Sequence, residues 1–122
     1  MALYPATLYG PAFLTDSAAV IYDSDYPTVA GGTLKDDNVT IVKQIIVCNT
    51  DSSTRWFSLY LDTNSTAVIG ETLFNQVQLA TSETKIINTS LVLRADKNQK
   101  IMARAEVGSK VTITLVGLEE YA

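Results

Sequence analysis

Three carboxylate pairs, Asp23 with Asp25, Asp36 with Asp37 and Glu119 with Glu120, are the groups whose type and spacing come nearest to acid–base chemistry. A two-carboxylate glycosidase needs one acid held in apolar surroundings to raise its pKa, whereas these sit in polar, turn-like or terminal contexts. They read as surface charge. The chain has no histidine, so the commonest general base and metal ligand is missing. Its one cysteine, Cys48, can form neither an internal disulfide nor a thiolate site, and its apolar neighbours predict a reduced, buried thiol. Asp62 and Asn64 have calcium-loop spacing, but Ala67 stands where the turning glycine belongs and Leu73 where the bidentate Glu belongs. Gly31, Gly32 and Gly70 match neither a phosphate loop nor a dinucleotide fingerprint. No catalytic residue, metal or cofactor is assigned, and the expectation is that the chain is not an enzyme.

Trp56 and Tyr60 fall on one face of a strand-like run and form a possible aromatic surface, either for stacking a sugar or for core and subunit packing. The net charge of -4, with no run of Lys or Arg, lacks the footprint of a nucleic-acid binder. No apolar run approaches the roughly 18 residues of a membrane helix. The start, "MALYPATLYG", lacks the basic and continuous apolar regions of a secretory signal, so the chain is expected to stay where it is made. Asn38, Asn64 and Asn88 match the glycosylation sequon and are read as turn and surface residues.

A length of 122 residues with 47% hydrophobic and 18% charged residues suits one globular domain. All three prolines and four of the six tyrosines lie in the first 27 residues. Proline lacks a backbone donor, so residues 1–18 are expected to run as an extended arm or edge segment ahead of a single domain over 19–122. Residues 18–23 read as a short strand and 29–38 as a loop. Val39 to Cys48 is apolar on both faces, which predicts a central strand. Arg55 to Leu61 alternates, with Phe57, Leu59 and Leu61 opposite Trp56, Ser58 and Tyr60. The intervening "NTDSST" has Asx-turn residues and predicts an antiparallel hairpin.

The stretch 71–76 is ambiguous between a helical turn and an extended run, "ETKIINTSLVL" reads as a strand, and 94–99 reads as a polar turn. Ile101 to Val107 and Val111 to Val116 both alternate, and a three-residue Gly108–Lys110 loop would place Val107 opposite Val111 in a second hairpin. The fold class is all-β: an antiparallel β-sandwich or jelly-roll-like barrel with an extended N-terminal arm.

From Phe13 onward the sequence resembles small virion proteins of tailed bacteriophages, whose pattern runs "LTTS…LYTVPAG", "VKxIxVCNT", "FSLYL", "LF" and "ITLSGxEE". The matching residues are Leu14 to Ser17, Val20 to Tyr22, Val42 to Thr50, Phe57 to Leu61, Leu73 with Phe74, and Ile113 to Glu120. Where the pattern has a compact "VPAG" turn, this chain has the longer "YPTVAGGTLKDDN". The resemblance implies a β-sandwich with a structural role in the particle. Small size, an acidic surface, missing catalytic groups and a distinct N-terminal arm, able to lie across neighbouring coat subunits, favour a capsid decoration or cement protein on the outer head surface. It would be made in the host cytoplasm and bind the major coat protein as a homotrimer, without nucleic-acid or membrane partners. Leu3, Tyr4, Tyr9 and Phe13 are the candidate partner-binding anchors on the arm. The alternatives are a tail, neck or fibre-base component, or a carbohydrate-binding adsorption module.

Overall fold

Strands with one apolar face bury it by packing antiparallel sheets against one another. The computed structural model describes residues 2–24, 39–63 and 72–121. Asp25, Gly31, Gly32, Asp36, Asp37, Asn38, Asn64, Ala67 and Gly70 lie outside them. The strands are β1 (Ala2–Phe13), β2 (Ala19–Asp23), β3 (Val39–Asn49), β4 (Arg55–Asp62), β5 (Thr72–Leu79), β6 (Thr84–Arg94), β7 (Lys100–Ala105) and β8 (Val111–Tyr121), with a short 3₁₀ turn at Ala95–Lys97. They form two four-stranded sheets, one ordered β1-β8-β3-β6 and the other β2-β7-β4-β5. All pairings are antiparallel. Among the described strands, only β4 and β5 are neighbours in both sequence and sheet, and the other consecutive strands lie in different sheets. Eight strands in that interleaved order are a jelly roll.

The core lies between the sheets. Val42, Ile45, Val47, Val111, Ile113 and Leu115 from the first sheet meet Phe57, Leu59, Ile101, Ala103 and Ala105 from the second, all buried. Phe74 packs its ring 6.4 Å from that of Phe57. The inward faces expected for β4, β7 and β8 pack on the core, with Leu61 half-buried, while Ser58 and Met102 on the opposite faces of β4 and β7 are buried as well.

Both expected hairpins are replaced by corners. β3 pairs with β6 and β8, whereas β4 pairs with β5 and β7. The "NTDSST" segment forms the Asx turn, with Asp51 N donating to Asn49 Oδ1 at 2.9 Å. Buried Asn49 also donates from Nδ2 to the carbonyls of Ser53, Leu79 and Ala80, which turns the chain into the second sheet. Likewise β7 and β8 belong to different sheets. Here Leu14 and Thr15 hold the connection: Ala105 N donates to Thr15 O, Ser109 N to Leu14 O and Leu14 N to Val111 O. Alternation reveals which face a strand buries, and burial across a sandwich satisfies it as well as pairing alongside does.

Other expectations shift for local reasons. Of the two expectations for the N-terminal residues, the edge segment is the one found: residues 2–13 run extended as β1, hydrogen-bonded to β8 at an edge of the first sheet, and do not project as an arm. Pro5 and Pro11 are tolerated there because an edge strand has one unpaired side. In β3 a register shift between Val42 and Gln44 changes which parity points inward, from Thr40 and Val42 to Ile45, Val47 and Asn49. That bulge is why the run is apolar on both faces, and it leaves Cys48 half-buried on the outer face instead of in the core. Thr72–Leu79 is a strand with no helical turn. Glu119, read as surface charge, is buried.

At the β3–β4 corner Arg55 Nε donates to Asp51 Oδ2 at 2.7 Å, and Ser52 N donates to Asp51 Oδ1. The Arg55 bond, followed by the Ser52 amide, holds the Asp51 carboxyl below its ordinary value of 3.8. A depressed folded-state pKa gives stability that is complete above 3.8 and is lost as pH falls through the lower folded value. We therefore expect Asp51→Asn to lose less stability than the parent on acidification across this range, as checked by urea midpoints at neutral and acid pH.

Candidate functional site

Two surfaces follow from this layout, one on the outer side of each sheet. On the second sheet, the outward residues of β4 and β7 lie side by side: Ser58 is in register with Arg104, and Tyr60 with Met102. Against β5 the register slips twice, between Phe57 and Leu59 and between Leu59 and Tyr60. Gln76 takes a left-handed φ of 47°, and its backbone N–H donates to Ser58 Oγ at 2.9 Å. Bulges of this kind re-aim side chains and open the strand surface.

The result is a pocket of about 330 Å³ lined by Ser58, Tyr60, Thr72, Asn75, Gln76 and Arg104. Each of these side chains carries a hydrogen-bonding group, and Arg104 brings the one charge among them. Its guanidinium carbon lies 4.9 Å from the centre of the Trp56 ring, a cation–π contact that fixes the head group. Arg104 Nε is buried without a hydrogen-bond partner, and among the described residues no ion pair involves Arg104. Trp56 and Tyr60 thus share an outer face, as expected, but they are not one open stacking platform: Arg104 covers the Trp56 ring, and Tyr60 lines the pocket. The expectation missed Arg104, whose place beside Ser58 follows only from pairing β4 with β7.

The outer side of the first sheet is apolar along a continuous row. Pro5 is opposite Leu118, Leu118 opposite Ile41, and Ile41 opposite Val92, so the row crosses all four strands. A second apolar pair, Ile46 with Ile86, lies further along β3 and β6. The two edge strands expose large apolar side chains: Leu3 at 50%, Tyr4 at 44% and Phe13 at 51% on β1, and Ile86 at 57% and Val92 at 46% on β6. Leu3, Tyr4 and Phe13 are therefore accessible, whereas Tyr9 is half-buried and packs on the core.

No protein-family model matches the chain, and no curated protein sequence matches it. Among solved structures it is similar to a chain of the infectious bursal disease virus VP2 subviral particle, at 14% identity and a TM-score of 0.44, covering 98% of this chain and 33% of that one. It is also similar to a chain of the Gx strain of that virus, at 11% identity and a TM-score of 0.41, covering 97% and 30%. The T13 particle of the same virus gives 12% identity and a TM-score of 0.40, with 98% and 28% covered. This chain spans about a third of the length of those it matches.

Proposed function

We propose that the protein is a non-enzymatic virion structural protein, and more narrowly a decoration or cement protein of a tailed-bacteriophage head that docks on the major coat protein as a homotrimer. The observation that carries this reading is the apolar row of Pro5, Leu118, Ile41 and Val92 across the outer side of the β1-β8-β3-β6 sheet, together with the exposed apolar residues of its two edge strands. Exposed apolar patches of this kind mark contact surfaces, and unpaired sheet edges accept neighbouring chains. The motif resemblance supports the same particle role. A protein that binds only the assembled shell stabilises it by mass action, each copy adding its own binding free energy.

The test is copies per purified particle. A decoration protein should approach the copy number of the coat protein or a simple symmetry fraction of it. A few copies per particle would instead place the protein in the neck or tail, and absence from particles would overturn the virion reading. Ile86→Lys with Val92→Lys should abolish binding to empty heads while the thermal melt stays within a few degrees, since both side chains are exposed on an edge strand. Removing residues 2–13 would delete β1 itself and report on folding rather than on docking.

A further inference from the structure

We infer that the pocket between β4, β5 and β7 is a binding site for a carboxylate-bearing sugar, such as a uronic or sialic acid residue. This inference is independent of the shell-docking reading, because the pocket lies on the other sheet. At about 330 Å³ the pocket is at the small end of ligand sites, the size of one sugar ring rather than a peptide or cofactor. Its lining is unusually polar for a ligand site, and Ser58, Tyr60, Thr72, Asn75 and Gln76 supply the mixed donors and acceptors that a ring of hydroxyls requires.

Arg104 selects the charge. A planar guanidinium binds a carboxylate through two parallel N–H···O bonds, and stacking on Trp56 holds it in place before the ligand arrives. The buried Nε without a partner leaves a donor to be satisfied. The covered Trp56 ring also removes the flat apolar face that neutral sugars use, so recognition shifts from stacking to charge and hydrogen bonding.

The experiment is a titration of the isotope-labelled protein, followed by amide and side-chain NMR shifts, with glucuronate, galacturonate and N-acetylneuraminate. Glucose, acetate and phosphate serve as comparisons. The expected result is saturable shifts at Ser58, Tyr60, Asn75, Gln76 and the Arg104 Nε–H with at least one carboxylated sugar, and weaker binding of glucose and acetate. Which of the three sugars binds best identifies uronate or sialate as the source. Arg104→Met should weaken binding at least about tenfold. If that variant unfolds, Asn75→Asp serves in its place: the side chain is exposed, and the added charge should repel the carboxylate by a similar factor. Absence of pocket shifts with all three acidic sugars, equal affinity for glucose, acetate or phosphate, or undiminished binding by a folded variant would overturn the assignment.

Discussion

Gly117→Ala is expected to destabilise the protein by about 3 kcal/mol or more, a large fraction of the net stability of a domain of this size. Gly117 is inside β8, opposite Ala6 on one side and Val42 on the other. A Cβ there would stand 2.0 Å from the Ile41 carbonyl oxygen and 3.1 Å from Leu8 Cδ1. The obstacle is backbone of a paired strand, and β3 cannot withdraw without breaking its pairings to β6 and β8. Gly108 is the matched control. Nothing lies within 4 Å of its Cβ position, so Gly108→Ala should be neutral or slightly stabilising through the unfolded chain. Urea unfolding followed by Trp56 fluorescence distinguishes the two, and equal midpoints would contradict the β3–β8 register.

Strand faces were legible where alternation is uninterrupted. Phe57, Leu59 and Leu61 in β4, the Ile101-Ala103-Ala105 series in β7 and the Val111-Ile113-Leu115 series in β8 point inward as their spacing requires. Bulges defeated the same reasoning elsewhere. The β3 register shift places apolar residues on both sides, and the left-handed Gln76 makes β5 look like neither helix nor strand. Partner choice was also invisible, because a polar turn such as "NTDSST" serves a hairpin and a sheet-crossing corner equally well. What distinguishes the corner is Asn49, whose side-chain amide reaches carbonyls at Leu79 and Ala80, far along the sequence.

Hidden pairing also concealed the pocket. Trp56, Ser58 and Tyr60 could be placed on one face from sequence, but Arg104 joins them only once β7 is laid beside β4, and Asn75 and Gln76 only through the β5 bulges. The resemblance motifs have physical content in the same terms. The Asn of "VCNT" builds the first corner, the Gly of "GLEE" admits the Ile41 carbonyl, and the first Glu of "GLEE" lies in the interior.

That glutamate supplies the second large effect: Glu119→Ala should cost about 3 kcal/mol. Tyr22 Oη, from β2 in the second sheet, donates to Glu119 Oε2 of β8 in the first. Tyr22 Oη is also 2.9 Å from Thr40 Oγ1 on β3. A phenol has a single proton, so the Thr40 hydroxyl donates to Tyr22. All three residues are buried, and the chain of hydroxyl, phenol and carboxyl ties the two sheets together across the interior. Truncating Glu119 leaves a cavity and removes the carboxylate that accepts from the buried Tyr22 phenol, so packing and hydrogen-bond losses act together. Tyr22→Phe should cost less, since the ring still fills its place. In a double-mutant cycle of Tyr22→Phe with Glu119→Gln, the combined loss should fall short of the sum by about 1 kcal/mol or more, as expected for groups sharing one network. Additive losses would mean that the sheets are held together at this end by apolar packing alone.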